Sequence, residues 1–231
     1  ENLNIKKNKK DLDFDGMWSS SLTDSATKGK PGNSSVDFSS RITSLNEMMD
    51  VTSKPLIFDA DNGGQLEHLP FLIRSLERSG VSAIIIEDKI GLKRNSLFKD
   101  QSGAKQDSIK EFCKKIKLIT KTRKSEDFLV AARVESFILG KGLKDALKRA
   151  ESYSKAGADL ILIHSKEKTP SEIFLFSKIF KKSKFFKPLV SVPSTYSKTS
   201  EKMLINNGFK IVIYANHMLR AAYPAMLNAA S

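Results

Sequence analysis

Two kinds of apolar pattern alternate along the chain. Short, nearly continuous apolar runs fall at residues 14–19, 55–59, 83–87, 128–133, 160–164, 189–192 and 211–214. They are rich in Val, Ile, Leu and Ala and are bounded by turn residues, the pattern of strands buried on both faces of a parallel sheet. Between them, apolar residues recur at helical spacing. Leu66, Leu69, Leu72, Ile73 and Leu76 share one face, and Leu143, Ala146, Leu147, Ala150 and Tyr153 another. Ile109, Phe112, Cys113, Ile116 and Ile119 make a third stripe, in which Cys113 reads as core packing. Gly80, Gly157 and Gly208 stand just past such segments, where a left-handed cap is wanted. "SGVSAIII", "AGADLILI" and "NGFKIVIY" are thus three versions of one helix–glycine–strand joint, and the chain reads as α/β.

The polar residues narrow the choice of architecture. Nearly every apolar run ends, on its C-terminal side, in groups able to do chemistry: Ser19, Ser20 and Ser21; Asp59 and Asp61; Glu87, Asp88 and Lys89; Arg133 and Glu135; His164 and Ser165; Ser194 and Thr195; Asn216 and His217. An α/β barrel carries its active site on that rim, so these ends would converge on one mouth. An open doubly wound sheet would call for a glycine-rich phosphate turn at its switch point. Neither GxGxxG nor a P-loop sequence occurs. The expectation is a (β/α)8 TIM-type barrel of parallel strands, with 231 residues forming one α/β-barrel domain (residues 1–231).

Composition excludes several classes. No stretch approaches eighteen consecutive apolar residues, so no membrane-spanning helix is expected. Residues 1–13 are polar and Lys-rich, without the apolar centre of a secretory leader, and carry no defined element in this reading. One cysteine cannot make an internal disulfide, which points to a reducing, cytoplasmic setting. The formal net charge of +13 is spread along the chain. Its denser patches, at residues 6–10, 114–124 and 178–187, are diluted by Asp, Glu and Ser and lack interleaved aromatics. They read as solvated surface rather than a nucleic-acid site, although they would attract small anions.

Asp59 and Asp61 lie on the same side of an extended strand end, followed by Gly63-Gly64. With Glu87 and Asp88 from the next strand they form an oxygen-rich cluster suited to one Mg²⁺ held partly through water; helix capping and turn chemistry are the bland alternative. Arg133 and Glu135 point the same way from their strand and offer either a fork for a carboxylate or phosphoryl group or a buried ion pair. His164, at the end of "LILI", is a catalytic or anion-binding candidate by its place on the rim. The long polar stretch 89–107, with Lys93, Arg94, Asn95 and Ser96 near its start, reads as a gating loop that shields a phosphate-like substrate from water.

Taken together, "DADNGG", "IIIEDKIGLKRNSLF", "AARVES", "LKRAESYSKAGADLILIHSK" and "IVIYANHMLRAAYPAML" closely resemble the phosphoenolpyruvate mutases of the isocitrate lyase/phosphoenolpyruvate mutase superfamily. The resemblance runs from about Asp13 to the end of the sequence. It implies an α/β barrel, Mg²⁺, a homodimer or homotetramer, and interconversion of phosphoenolpyruvate and phosphonopyruvate, the entry to C–P natural products. It further implies that Asp59 is the direct metal ligand, with Asp61 and Glu87 holding metal-bound waters. Trp18 would stack on substrate, and Ser20, Ser21 and Leu22 would hold the pyruvyl carboxylate and oxygen. Arg133 and His164 would orient the substrate and the migrating phosphoryl group, and Lys93, Asn95, Ser96 and Leu97 match the lid motif K-x-N-S-L. Isocitrate lyases carry a catalytic cysteine in K-K-C-G-H, which this lid lacks; phosphonopyruvate hydrolase is the closer rival.

The sequence departs from the family at Gly29-Lys30-Pro31-Gly32, where mutases read G-K-P-D and use the Asp as an essential active-site carboxylate. Three readings follow: a weakened or silent barrel, a part played by neighbouring Asp37, or a changed activity. Only seven strands are counted, so the barrel is expected to lack its first strand and a C-terminal helix in this chain.

Overall fold

The computed structural model describes residues 5–7, 10–91, 93–98 and 100–231. Near the N-terminus β1 (Ile5–Lys7) and β2 (Lys10–Leu12) pair antiparallel, with Ile5 opposite Leu12. Three-residue strands are too short for hydrophobic periodicity to reveal, so these two are a finding of the structure. After them come β3 (Met17–Ser19), α1 (Ser21–Thr27), α2 (Phe38–Met49) and β4 (Leu56–Asp59). A 3-10 turn (Leu66–His68) leads into α3 (Leu69–Arg78), which has Pro70 in its first turn, and then β5 (Ala83–Glu87). Next are β6 (Lys89–Ile90), β7 (Lys105–Gln106), α4 (Ile109–Thr122), β8 (Leu129–Val134) and α5 (Gly142–Ala156). The remainder alternates strictly: β9 (Leu160–Ile163), α6 (Ser171–Phe180), β10 (Leu189–Ser191), α7 (Glu201–Asn206), β11 (Phe209–Val212) and α8 (His217–Ala230).

All seven apolar runs lie in one parallel sheet, ordered β11-β10-β9-β8-β5-β4-β3. Two run boundaries move. The first strand begins at Met17, whose N–H donates to Pro55 O at 2.8 Å, while Phe14 remains exposed. The last begins directly after Gly208, at Phe209, and Tyr214 lies beyond it with its hydroxyl on Glu201 at 2.6 Å. The joints behave as the glycines require: Gly80, Gly157 and Gly208 all have positive φ.

Alternate residues of the strands feed two cores. Phe58, Ile84, Ile86, Val130, Ala132, Ile161 and Ile163 meet the helices through Ile73, Phe112, Ile116, Tyr153 and Phe176. Ile85, Ala131, Leu162, Val190 and Ile213 point the other way and pack with Trp18 and Ile57 as a separate inner cluster. A sheet with two apolar faces must be covered on both, and curling over its own inner face does this. The curl brings the edge strands together: Phe14 and Tyr214 have ring centroids 6.1 Å apart, and Ser20 beyond β3 bonds Asn216 beyond β11. The architecture is that of a (β/α)8-type barrel, with its strand C-termini gathered at one end.

Candidate active site

Strand β4 stops at Asp59 because the chain turns sharply there. Asp61 adopts a left-handed φ of 52°, and Gly63 and Gly64 follow with φ of 82° and 69°. Asp tolerates that conformation better than most residues, and glycine adopts it freely. The turn is pinned by Glu87 N–H on Asp61 O (2.7 Å) and Ala60 N–H on Ile85 O (2.9 Å). It places Asp59, Asp61 and Glu87 side by side, all buried. Asp59 Oδ2 accepts from Ser21 Oγ at 3.0 Å, and Asp61 Oδ2 accepts from Ser34 Oγ at 3.1 Å.

Beside this triad lies a second cluster on β8 and β9. Arg133 Nε donates to Glu135 Oε1 at 2.5 Å, while its Nη2 lies 3.2 Å from Glu87 Oε2 and 2.9 Å from His164 Nδ1. His164 Nδ1 is also 2.9 Å from Glu135 Oε1; the neutral ring meets one of these neighbours as acceptor or the other as donor. Lys89 Nζ reaches Glu135 Oε2 at 3.4 Å and Glu87 Oε1 at 3.7 Å. Behind them Asp88 receives Tyr153, Arg149 and Gln106 side chains and the Glu135 N–H, which fixes the strand end carrying Glu135.

Burial and charge act in opposite senses on these groups. Burial raises the Asp59 carboxyl, but Lys93, Arg41 and Arg133 outweigh it and hold the group below the ordinary carboxylate range. Burial likewise opposes ionisation of Glu135, yet Arg133, His164 and Lys89 keep it well below that range. Glu87 moves the other way, raised by burial and by the neighbouring Glu135 against the pull of Arg133. His164 is lowered by burial and by Arg133, so its ring is neutral at pH 7.

The described residues of the stretch 89–107 fold over the acid cluster from a clamped base, like a lid. Lys89 pairs with Gln106 and Ile90 with Lys105, antiparallel. From this base the lid folds inward. Lys93 Nζ contacts Asp61 Oδ1 and Ser21 Oγ and lies 3.4 Å from Asp59 Oδ2. Burial lowers the Lys93 ammonium, but Asp59, Asp61 and Glu87 together raise it above its ordinary value. Ser96 is buried; its Oγ donates to Glu135 Oε2 (2.5 Å) and accepts from Lys89 Nζ (2.7 Å) and Arg133 Nη2 (2.9 Å). Ser34, Asp61, Glu87, Lys89, Lys93 and Arg94 line a remaining cavity of about 10 Å³, room for about one water.

Other sequence candidates fall differently. Asn95 spends its side-chain oxygen on Leu97 N–H (2.9 Å), closing a turn inside the lid, and Leu97 is half-buried beside it. Trp18 packs into the inner barrel cluster, and its buried indole N–H has no hydrogen-bond partner. Leu22 lies against Gly32: a Cβ added there would stand 2.4 Å from Leu22 Cδ1. Asp37 is exposed and caps α2 through Ser40 N–H (2.9 Å), so it does not take the place of the missing carboxylate. Sequence reasoning missed Arg41 and Asp24, a buried pair behind Asp59. The available signal was a charged residue within the stripe Phe38, Ile42, Leu45 of α2.

The resemblance noted in the sequence implies a divalent cation at this acid cluster. Among the described residues, no three Asp, Glu, His or Cys side chains could by themselves hold a metal ion. Asp59 and Asp61 nevertheless already converge on one cation, the Lys93 ammonium, and buried Glu87 Oε2 accepts no hydrogen bond, with the Arg133 guanidinium beside it at 3.2 Å. Hard oxygen donors with few direct contacts suit Mg²⁺, which keeps several of its waters. The residues present fit that ion.

A parallel α/β barrel whose strand ends gather acids, an arginine and a histidine at one rim has the architecture in which barrel enzymes carry their active sites. The sequence profile of the phosphoenolpyruvate phosphomutase family matches residues 5–231, and the chain belongs to that family. The chain is 41% identical over 214 residues to a phosphoenolpyruvate phosphomutase of Tetrahymena pyriformis, covering 92% of this chain and 70% of that protein. Among solved structures, a phosphoenolpyruvate phosphomutase from Streptomyces platensis subsp. rosaceus superposes with a TM-score of 0.86 at 35% identity, over 93% of this chain and 74% of the other. A phosphonopyruvate hydrolase in complex with oxalate and Mg²⁺ superposes with a TM-score of 0.82 at 36% identity, over 93% and 73%.

Proposed function

We propose that this protein interconverts phosphoenolpyruvate and phosphonopyruvate by intramolecular phosphoryl transfer, with Mg²⁺ as cofactor. The observation that carries the reading is the lid: Lys93 lies on the acid pair and Ser96 bonds Glu135, Arg133 and Lys89, so the loop stands between these groups and solvent. Transfer within one substrate needs such shielding, because water reaching the phosphoryl group gives phosphate and pyruvate instead.

Asp59, with Asp61 and Glu87 acting through water, would hold Mg²⁺. When bound, the ion supplies Lewis-acid stabilisation of negative charge on the pyruvyl oxygens. Ser20, Ser21 and the N–H groups entering α1 face the pyruvyl carboxylate. The P–O bond of phosphoenolpyruvate breaks, leaving pyruvate enolate and a loose, metaphosphate-like group. Arg133, Lys93 and neutral His164 restrain that group by charge and hydrogen bonding while it turns from oxygen to carbon, and the C–P bond then forms. No proton need leave or enter the substrate pair in this exchange. Asn95 serves the reaction by shaping the lid turn that carries Lys93 and Ser96. The protein is a homo-oligomer in this reading, in keeping with the exposed Met218, Tyr223, Met226 and Leu227 of α8; light scattering on a sizing column should give a dimer or tetramer, and a monomer would refute it.

Phosphonopyruvate hydrolysis is the second reading, favoured by the likeness to a hydrolase. Phosphorus NMR of phosphonopyruvate with protein and Mg²⁺ separates them. A Mg²⁺-dependent phosphoenolpyruvate resonance supports the mutase, inorganic phosphate appearing without it supports the hydrolase, and an unchanged spectrum defeats both.

A further inference from the structure

Arg41 stands on the buried face of α2, 1% exposed, where the pattern of Phe38, Ile42 and Leu45 calls for an apolar side chain. A guanidinium in such a place is costly unless its donors are met. They are met at one structural crossing. Nε donates to Asp24 Oδ2 on α1 at 2.8 Å, Nη1 to Asp59 O at 2.5 Å, and Nη2 to Ser19 O at 3.4 Å. The guanidinium carbon lies 4.2 Å from the centroid of the Phe58 ring, which closes the remaining face. Asp24, 3% exposed, also receives Ser19 Oγ at 3.4 Å.

We propose that Arg41, held by Asp24, is a positioning residue: it locks the peptides at the ends of β3 and β4 so that Asp59 and the serine loop present their oxygens to the divalent cation and the substrate. The proposal rests on the functional reading above and deepens it. A buried ion pair is weak evidence for stability, since an apolar pair of similar volume often serves as well. What an apolar pair cannot do is grip two carbonyls. Arg41 holds the backbone of Asp59 itself and of Ser19, two residues before Ser21, whose hydroxyl donates to Asp59 Oδ2. If the fork goes, the Asp59 peptide and the serine loop are free to turn, and the angle of the carboxylate changes with them. Partners that orient a metal-binding carboxylate commonly govern affinity by 10–100-fold.

Three proteins test this: the parent, the apolar double variant Arg41→Met with Asp24→Leu, and Arg41→Lys, which keeps the charge but cannot form the fork. Each is titrated with Mg²⁺ calorimetrically well below its melting temperature, and turnover of phosphonopyruvate is measured alongside. The double variant should melt near the parent but bind Mg²⁺ roughly 10–100-fold more weakly, with kcat falling more than KM rises. Arg41→Lys should lie between them. A folded double variant with parental Mg²⁺ affinity and kcat overturns the proposal and leaves the pair a purely structural device. Should the double variant fail to fold, parental affinity in Arg41→Lys overturns it equally. A parent that binds no Mg²⁺ refutes the functional reading itself, which is seen before any variant is compared.

Discussion

Ser20 Oγ donates to Asn216 Oδ1 at 3.0 Å, joining the end of β3 to the end of β11, the two outermost strands of the sheet. Thr23 Oγ1 donates to the same oxygen at 2.9 Å. Asn216 holds this position with a left-handed φ of 58°, which Asn accepts more readily than Ala. Asn216→Ala should therefore cost about 1–3 kcal/mol, from two lost hydrogen bonds and backbone strain. Urea unfolding of the two proteins measures this. A variant as stable as the parent would mean that this contact does not hold the sheet edges together.

Lys93 occupies the place between Asp59 and Asp61 that a divalent ion would take. Lys93→Ala removes a competing cation from the acids and a restraining charge from the phosphoryl group. Mg²⁺ should then bind at least as tightly as in the parent, while turnover falls by about two orders of magnitude or more, as with loss of other transition-state donors. Calorimetry and phosphorus NMR on one preparation check both halves. Weaker Mg²⁺ binding with unchanged turnover would reverse the assignment.

Removing the acid should do the opposite. Asp59→Asn keeps the shape but loses a charge that Lys93, Arg41 and Arg133 all face. Mg²⁺ binding should become undetectable at millimolar concentrations, and turnover should go with it. Retained Mg²⁺ affinity would exclude Asp59 as the direct ligand.

Gly32 faces Leu22, so Gly32→Asp must push Leu22 Cδ1 aside. That atom is the end of a flexible, half-buried side chain, and a rotamer change costing about 1 kcal/mol should suffice. Gly32→Asp is expected to lower stability by about that amount and to raise the yield of phosphoenolpyruvate from phosphonopyruvate. Unchanged turnover would show that the glycine does not limit the reaction.

His164 gives one part of the pH dependence, and buried Asp88, raised to about 6, titrates in the same range with the opposite sign. Burial and Arg133 lower the His164 pKa in the folded protein, so the unfolded chain takes up this proton first as pH falls. Its contribution to stability is complete above about pH 6.5, the unperturbed histidine value, and is lost as pH falls below it. His164→Gln should flatten that part of the stability profile, read from urea midpoints between pH 7.5 and 5.5. An unaltered slope would mean that the ring takes up its proton at the same pH in the folded and unfolded chain.

The parallel strands were legible because each is buried on both sides and therefore reads as an unbroken apolar run, bounded by a glycine or a charged end. The site was legible for the same reason: once Asp59, Glu87, Arg133 and His164 are recognised as strand ends, a barrel brings them together. Pairing across 17 residues between Asp24 and Arg41 leaves no such local trace. Nor do the two-residue strands β6 and β7, whose pairing depends on a distant partner rather than on periodicity. Asp37 and Asn95 illustrate a different limit. Both are chemically capable, but their oxygens serve backbone N–H groups nearby, a use that residue type alone does not reveal.

The antiparallel clamp at the base of the lid has a thermodynamic consequence. Lys89–Gln106 and Ile90–Lys105 bring the two ends of the loop together, and Ser96 ties down its middle, all with contacts internal to the protein. Most of the disorder that a free loop of this length would surrender on closing over a ligand has thus already been surrendered in folding. Ligand affinity is spared that loss. In the proposed reaction, the speed of opening rather than the entropy of closing would then be the quantity that this lid leaves to be set.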